Sequence, residues 1–233
     1  MHCTDNIIGD SLKEMLHPSF EGSETSESDI EYFVTKCSAI TEVFYVKGGS
    51  PGRLKSELHA PVRIKLRDED AVWRCKSVPL GSKRSAAVEI LSEMLAHGQL
   101  EFSSAVYRNP WFLIPKKDGK YRMLIDLREL NKHVELEGGH PQSTEELTTE
   151  LSGRLFNTLI DVKNAYFQVP LDPETSDVTS FNSPLGLLKY AVLPQGYINL
   201  VSKFSSILQR ILAPVAKDVL CFMGDIAISV DRK

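Results

Sequence analysis

The stretch Val219-Leu220-Cys221-Phe222-Met223-Gly224-Asp225-Ile226-Ala227-Ile228-Ser229-Val230 sets two apolar runs on either side of Gly224-Asp225. Such a pattern predicts an antiparallel hairpin turning at the Gly-Asp dipeptide, because these residues accept the backbone angles of a tight turn. A second hairpin is predicted upstream, where residues 111–114 and 121–127 flank Pro115-Lys116-Lys117-Asp118-Gly119-Lys120. Residues 155–161 and 186–193 also read as strands. Helical signals lie between them. Over residues 82–97, Ala87, Ile90, Leu91, Met94 and Leu95 recur with helical spacing, and Gly98 ends the run. Ser143-Thr144-Glu145-Glu146 is a capping box opening a short helix that ends near Gly153. Residues 199–216 place Val201, Phe204, Ile207, Leu208, Ile211 and Leu212 on one helical side. Two hairpins without strict strand–helix alternation predict an α+β fold, a largely antiparallel sheet with packed helices.

Composition bounds the rest. The 233 residues are 42% hydrophobic and 25% charged, which excludes a wholly disordered, collagen-like or coiled-coil chain. No run of eighteen apolar residues occurs, so no membrane-spanning helix is expected. Met1-His2-Cys3-Thr4-Asp5 shows no basic start leading into an apolar run, which argues against a signal peptide. Cys3, Cys37, Cys75 and Cys221 lie far apart without a CxxC pair, so neither a disulfide framework nor a structural zinc site is expected, and a reducing intracellular compartment fits best. The net charge is −4, so any nucleic-acid binding must come from a local patch. Residues 1–57 read as a segment apart, a mobile acidic N-terminus and linker. Five acids and no base lie between Glu21 and Glu31, and the apolar run 39–46 is followed by Gly48-Gly49-Ser50-Pro51-Gly52.

Three features carry chemistry. Lys116, Lys117, Lys120 and Arg122 crowd the first hairpin, with Arg128 and Lys132 just beyond, a mixture of point charges and bidentate forks suited to phosphate oxygens. Asp161 ends an apolar strand, and Asp225 sits at the second hairpin. Alone, each has an ordinary reading: a solvated tip, a helix N-cap, a turn residue. Together, two carboxylates at strand ends and a basic hairpin suggest a divalent ion and a polyphosphate, since Mg²⁺ takes one or two protein carboxylates and leaves its other positions to water and phosphate.

Four ordered motifs carry a family resemblance. Residues 112–132 (Phe112-Leu-Ile-Pro-Lys-Lys-Asp-Gly-Lys-Tyr-Arg-Met-Leu-Ile-Asp-Leu-Arg-Glu-Leu-Asn-Lys132) resemble the fingers motif of reverse transcriptases, specifically those of gypsy-type long-terminal-repeat retrotransposons. Leu159-Ile-Asp-Val-Lys-Asn-Ala-Tyr-Phe-Gln-Val-Pro-Leu171 is similar to the first palm motif, Leu193-Pro-Gln-Gly-Tyr-Ile-Asn199 to the nucleotide-site loop, and Phe222-Met-Gly-Asp225 to the hairpin that carries two aspartates. The resemblance covers about residues 58–233. It implies a right-hand polymerase fold without its thumb: 58–154 mainly fingers, and 155–233 palm with an inserted fingers part at about 172–198, ending soon after the hairpin.

The resemblance also implies roles. Lys116 and Arg122 would hold the incoming triphosphate. Tyr166 would lie beneath the sugar and exclude a 2′-hydroxyl, although it could also be a core aromatic. Gln195 would contact the nucleotide near its 3′ position, and Gly196 would admit close backbone approach. Asp161, the Val162 carbonyl and Asp225 would ligate two Mg²⁺ ions for deoxynucleotide transfer to a primer 3′-hydroxyl. Template with primer and deoxynucleoside triphosphates would be the partners, in a cytoplasmic retroelement particle. Two departures stand out. Gly224 occupies the place of the family's first hairpin aspartate, which implies weakened metal binding and a strongly impaired copy, and Leu200 stands where an alanine is usual. The rival expectation is a non-catalytic remnant that binds nucleic acid or protein through the polymerase scaffold.

Overall fold

The computed structural model describes residues 26–38, 52–139, 143–154 and 156–230. The chain divides into two compact units, Met1–Gly52 and Arg53–Lys233. In the first, helix α1 spans Glu27–Ser38. Glu27 and Asp29 occupy its first turn and Lys36 its last, the order the helix dipole favours. The Ser26 hydroxyl accepts the Asp29 N–H at 3.3 Å. Val34 and Cys37 are buried, three residues apart on one face. The later part of the acidic, serine-rich segment is thus a capped helix rather than a purely solvated run. The apolar run 39–46 and the turn residues 48–51 lie outside the described residues.

The second unit holds the two predicted hairpins and a small third sheet, with every strand pair antiparallel. Helix α2, Arg84–Ala96, follows a short 3-10 turn and buries Ala87, Leu91 and Met94. Gly98 ends it at φ +63. Strand β1, Leu100–Phe102, comes next, then β2, Trp111–Pro115, and β3, Tyr121–Ile125. Helix α3, Arg128–His133, was not predicted. Leu127 caps it instead of extending the strand. Helix α4, Thr144–Leu151, opens on the predicted capping box, with the Ser143 and Glu146 side chains each accepting the other's backbone N–H. Strand β4 is Phe156–Asp161, β5 is Phe181–Ser183 and β6 is Gly186–Tyr190. Helix α5 covers Leu200–Leu212 with Asn199 as its N-cap, and a 3-10 turn takes the remainder of the predicted run. Strands β7, Val219–Phe222, and β8, Asp225–Val230, close the described chain.

Two sheets frame the chemistry. In one, β6 lies between β1 and β5, so residues 188–190 pair back onto residues 100–102 across a long sequence gap. Phe181 is fully buried there, its ring 5.8 Å from that of Trp111 and 6.0 Å from that of Tyr190. Asn109, itself buried, satisfies Val178 and Ser180 carbonyls and accepts the Trp73 indole N–H, which locks this layer to β2. The other sheet has the order β4-β8-β7. Its edge strand is lightly covered: Leu159 is 74% exposed and Ile160 42%.

Candidate nucleotide and metal site

The last hairpin turns one residue earlier than predicted. Phe222 pairs with Asp225, so the two-residue loop is Met223-Gly224 and Asp225 is the first residue of β8. The left-handed backbone angle falls on Met223, at φ 56, and not on Gly224. A residue with a branched-free but bulky side chain carries strain at such an angle, whereas the glycine beside it needs no special conformation. The expectation that Gly224 serves the turn through positive φ is therefore corrected.

Asp161 and Asp225 are register partners at the end of the β4–β8 ladder, and both side chains are exposed. Antiparallel partners share a face of the sheet, so the two carboxylates stand side by side. The Gly224 carbonyl accepts the Val162 N–H at 2.9 Å, which fastens the segment after Asp161 to the hairpin loop. Val162's own carbonyl accepts the Ala165 N–H at 3.1 Å and keeps a second lone pair. Asn164 takes the left-handed conformation at φ 51 and starts a 3-10 turn at Ala165–Gln168. That turn brings half-buried Tyr166 edge-on to Phe204 of α5, with ring centroids 5.1 Å apart. Burial raises the Tyr166 phenol's pKa. Among the described residues, no group of three or more His, Cys, Asp or Glu side chains converges on one point.

The basic hairpin is built on β2 and β3. Trp111, Leu113, Met123 and Ile125 turn inward and are buried. The alternate residues, Phe112, Ile114, Arg122 and Leu124, share the opposite face. Lys116 and Arg122 are exposed, and Gly119 closes the tip at φ +77. That face borders a cavity of about 300 Å³ lined by Phe112, the segment 124–128, Gln195 and Gly196. At its rim Arg128 is gripped by Asp126 through bonds of 2.6 to 3.1 Å, which hold the Asp126 carboxyl below its ordinary pKa. Gly196 has φ +94 and lies against the Ile125 carbonyl, so a glycine is required there by the backbone itself. Gln195 and Gly196 are exposed while Leu193 and Tyr197 are buried on either side, so the loop is anchored at both ends.

The predicted site residues do not all converge. Asp161, Val162, Gly224 and Asp225 meet at the hairpin, Gln195 and Gly196 line the cavity, Lys116 and Arg122 stand exposed on the basic hairpin, and Tyr166 packs against Phe204. Sequence reading missed two residues that support the loop, Asn131 and Asn199. Both lie inside the motifs quoted above, and a polar amide next to buried Leu130 and Leu200 was the signal available.

The family model of reverse transcriptase (RNA-dependent DNA polymerase) matches residues 114–233, more than half of the chain. The chain belongs to that family. Among solved structures, it is similar to the native prototype foamy virus protease-reverse transcriptase, with a TM-score of 0.80 at 21% identity over 95% of this chain and 29% of that one. The foamy viral enzyme in complex with RNA/DNA hybrid gives 0.81 at 19% identity, covering 96% of this chain and 29% of that one. Its complex with dsDNA gives 0.79 at 20% identity, covering 95% and 45%. The fold is that of polymerase fingers and palm, and the chain spans less than half the length of these structures.

Proposed function

We propose that this chain is the fingers-and-palm part of a gypsy-type retrotransposon polymerase that binds primer–template and deoxynucleoside triphosphate but whose chemical step is strongly impaired. The observation that carries this reading is the pairing of Asp161 with Asp225 at a ladder end whose third carboxylate position is Gly224. Lys116 and Arg122 would take the triphosphate, Gln195 and Gly196 the sugar end, and Tyr166 would bar a 2′-hydroxyl. Asp161, Asp225 and the Val162 carbonyl suit one Mg²⁺ ion, which accepts as few as one or two carboxylates. Two closely spaced ions need more negative charge than this pair supplies. When bound, the ion would supply Lewis-acid stabilisation of phosphate oxygens. The setting would be an intracellular retroelement particle.

Gly224 specifically favours a second reading, a non-catalytic scaffold that retains nucleic-acid binding. Primer extension on an RNA template, run with Mg²⁺ and separately with Mn²⁺ beside a primer–template binding assay, tests both. Binding without extension is expected. Robust Mg²⁺-dependent extension would overturn the impairment, and absence of binding would overturn the nucleic-acid reading itself.

A further inference from the structure

Two asparagines exchange side chains between the segments that meet at the cavity. Asn131, on α3, donates from Nδ2 to the Gly196 carbonyl at 2.8 Å and accepts the Ile198 N–H at Oδ1 at 2.9 Å. Asn199, the N-cap of α5, donates from Nδ2 to the Glu135 carbonyl at 2.8 Å and accepts the Glu137 N–H at Oδ1 at 3.2 Å. Each amide therefore bonds the carbonyl of one residue and the N–H of the residue two further on. One residue of a parallel strand makes that same pattern on its neighbour through its own N–H and C=O. Here no strand joins the two segments, and the side-chain amides take its place. Because each oxygen meets a donor and each nitrogen a carbonyl, only one orientation of either amide satisfies both bonds.

Independent contacts tighten the same seam. Lys203 pairs with Glu137 across it. A Cβ at Gly139 would come within 2.9 Å of the Ser202 side chain, so the backbone after the clamp approaches α5 closely. Tyr197 is buried beneath, its phenol pKa pushed up to about 12 chiefly by burial.

We propose that Asn131 and Asn199 are positioning residues that form a reciprocal clamp, fixing loop 194–199 against the fingers and so setting where Gln195 and Gly196 are presented. The consequence for nucleotide rests on the reading given under Proposed function. The clamp itself does not. Asn131 is only half-buried and fills no core volume, and Leu193 and Tyr197 would still anchor the loop without it. Its loss should release the loop and leave the core intact.

Amide hydrogen exchange on the full chain, with thermal unfolding alongside, tests the clamp. In Asn131→Ala the Ile198 amide loses its acceptor and should exchange about tenfold faster, the weight of one hydrogen bond, while amides of β3 and α5 keep their rates. Asn131→Asp keeps an oxygen for Ile198, so protection of that amide should return, although the Gly196 carbonyl loses its donor. Unchanged Ile198 exchange in Asn131→Ala would overturn the clamp. So would acceleration spread evenly over the unit, because that is the mark of a general structural residue. Titration with Mg²⁺-dATP separates the two readings. Weaker binding by Asn131→Ala than by the unmodified chain supports the positioning role. If the unmodified chain binds no nucleotide, the nucleotide reading fails and the exchange result still decides the clamp.

Discussion

The cavity beside the basic β2–β3 hairpin and the β4–β8–β7 sheet end are built to different standards. Around the cavity each exposed residue has a backing: Trp111, Leu113, Met123 and Ile125 beneath the basic hairpin, Asn131 and Asn199 behind the loop, Asp126 behind Arg128. The β4–β8 ladder sets Asp161 beside Asp225, but the edge strand β4 is open and Gly224 has no conformational reason to be a glycine. Packing and side-chain amides thus hold the first region in place, while only the charge of Asp161 and Asp225 distinguishes the second.

The comparison predicts unequal responses to truncation. Phe181→Ala, which empties a fully buried site between Trp111 and Tyr190, should cost about 3–5 kcal/mol in chemical denaturation. Leu159→Ala on the exposed edge should stay within about 0.5 kcal/mol. A large cost for Leu159 would show that the palm edge is covered and would break the contrast.

Gly224→Asp sharpens it from the other side. A Cβ at position 224 meets only the Ala165 side chain at 3.4 Å, an ordinary contact, and its φ is not left-handed. The substitution should therefore fold, raise Mn²⁺ affinity in calorimetric titration, and raise Mg²⁺-dependent extension by a longer polymerase carrying this segment at least about 100-fold. Loss of a single preorganised donor usually costs that much or more. Unchanged Mn²⁺ affinity would mean that position 224 does not address the ion.

Nucleic-acid binding should be electrostatic and weak. Residues 105–135 carry seven bases against four acids, a local excess of three in a chain of net charge −4. Three phosphate contacts imply that affinity falls about 40-fold between 50 and 200 mM salt. Tight binding that ignores salt would place the contact elsewhere.

The sequence made the elements with strong local signals legible. The hairpins, the capping box and the amphipathic helix α5 were readable because turn chemistry, capping and periodicity are encoded within a few residues. Asp161 and Asp225 were legible as carboxylates at strand ends, but their pairing was not, because it depends on the β4–β8 register across more than sixty residues. Three-residue β1 and β5 were not, because they exist only through pairing with β6 across long sequence gaps. Helix α3 is too short to show a period. The turn was placed one residue late because Gly224-Asp225 is the better turn dipeptide by composition, and the ladder's pairing of Asp225 with Phe222 overrode that preference. The asparagine clamp was invisible for the same reason as β1: its partners lie more than sixty residues away.

Helix α4 is a third case beside the packed cavity region and the open β4 edge, because none of its residues is buried. An eight-residue helix without tertiary packing is marginal, since nucleation costs more than a few turns return. Its hold on structure lies at its start, where Ser143 Oγ accepts the Glu146 N–H at 3.1 Å and Glu146 accepts the Ser143 N–H at 3.0 Å. Ser143→Ala removes one of these bonds and should cost about 1 kcal/mol, all of it local. The expected result is faster amide exchange confined to residues 144–151 with an unchanged midpoint for the whole unit. A fall in that midpoint would show that α4 is packed into the cooperative core, and would join this segment to the packed side of the comparison.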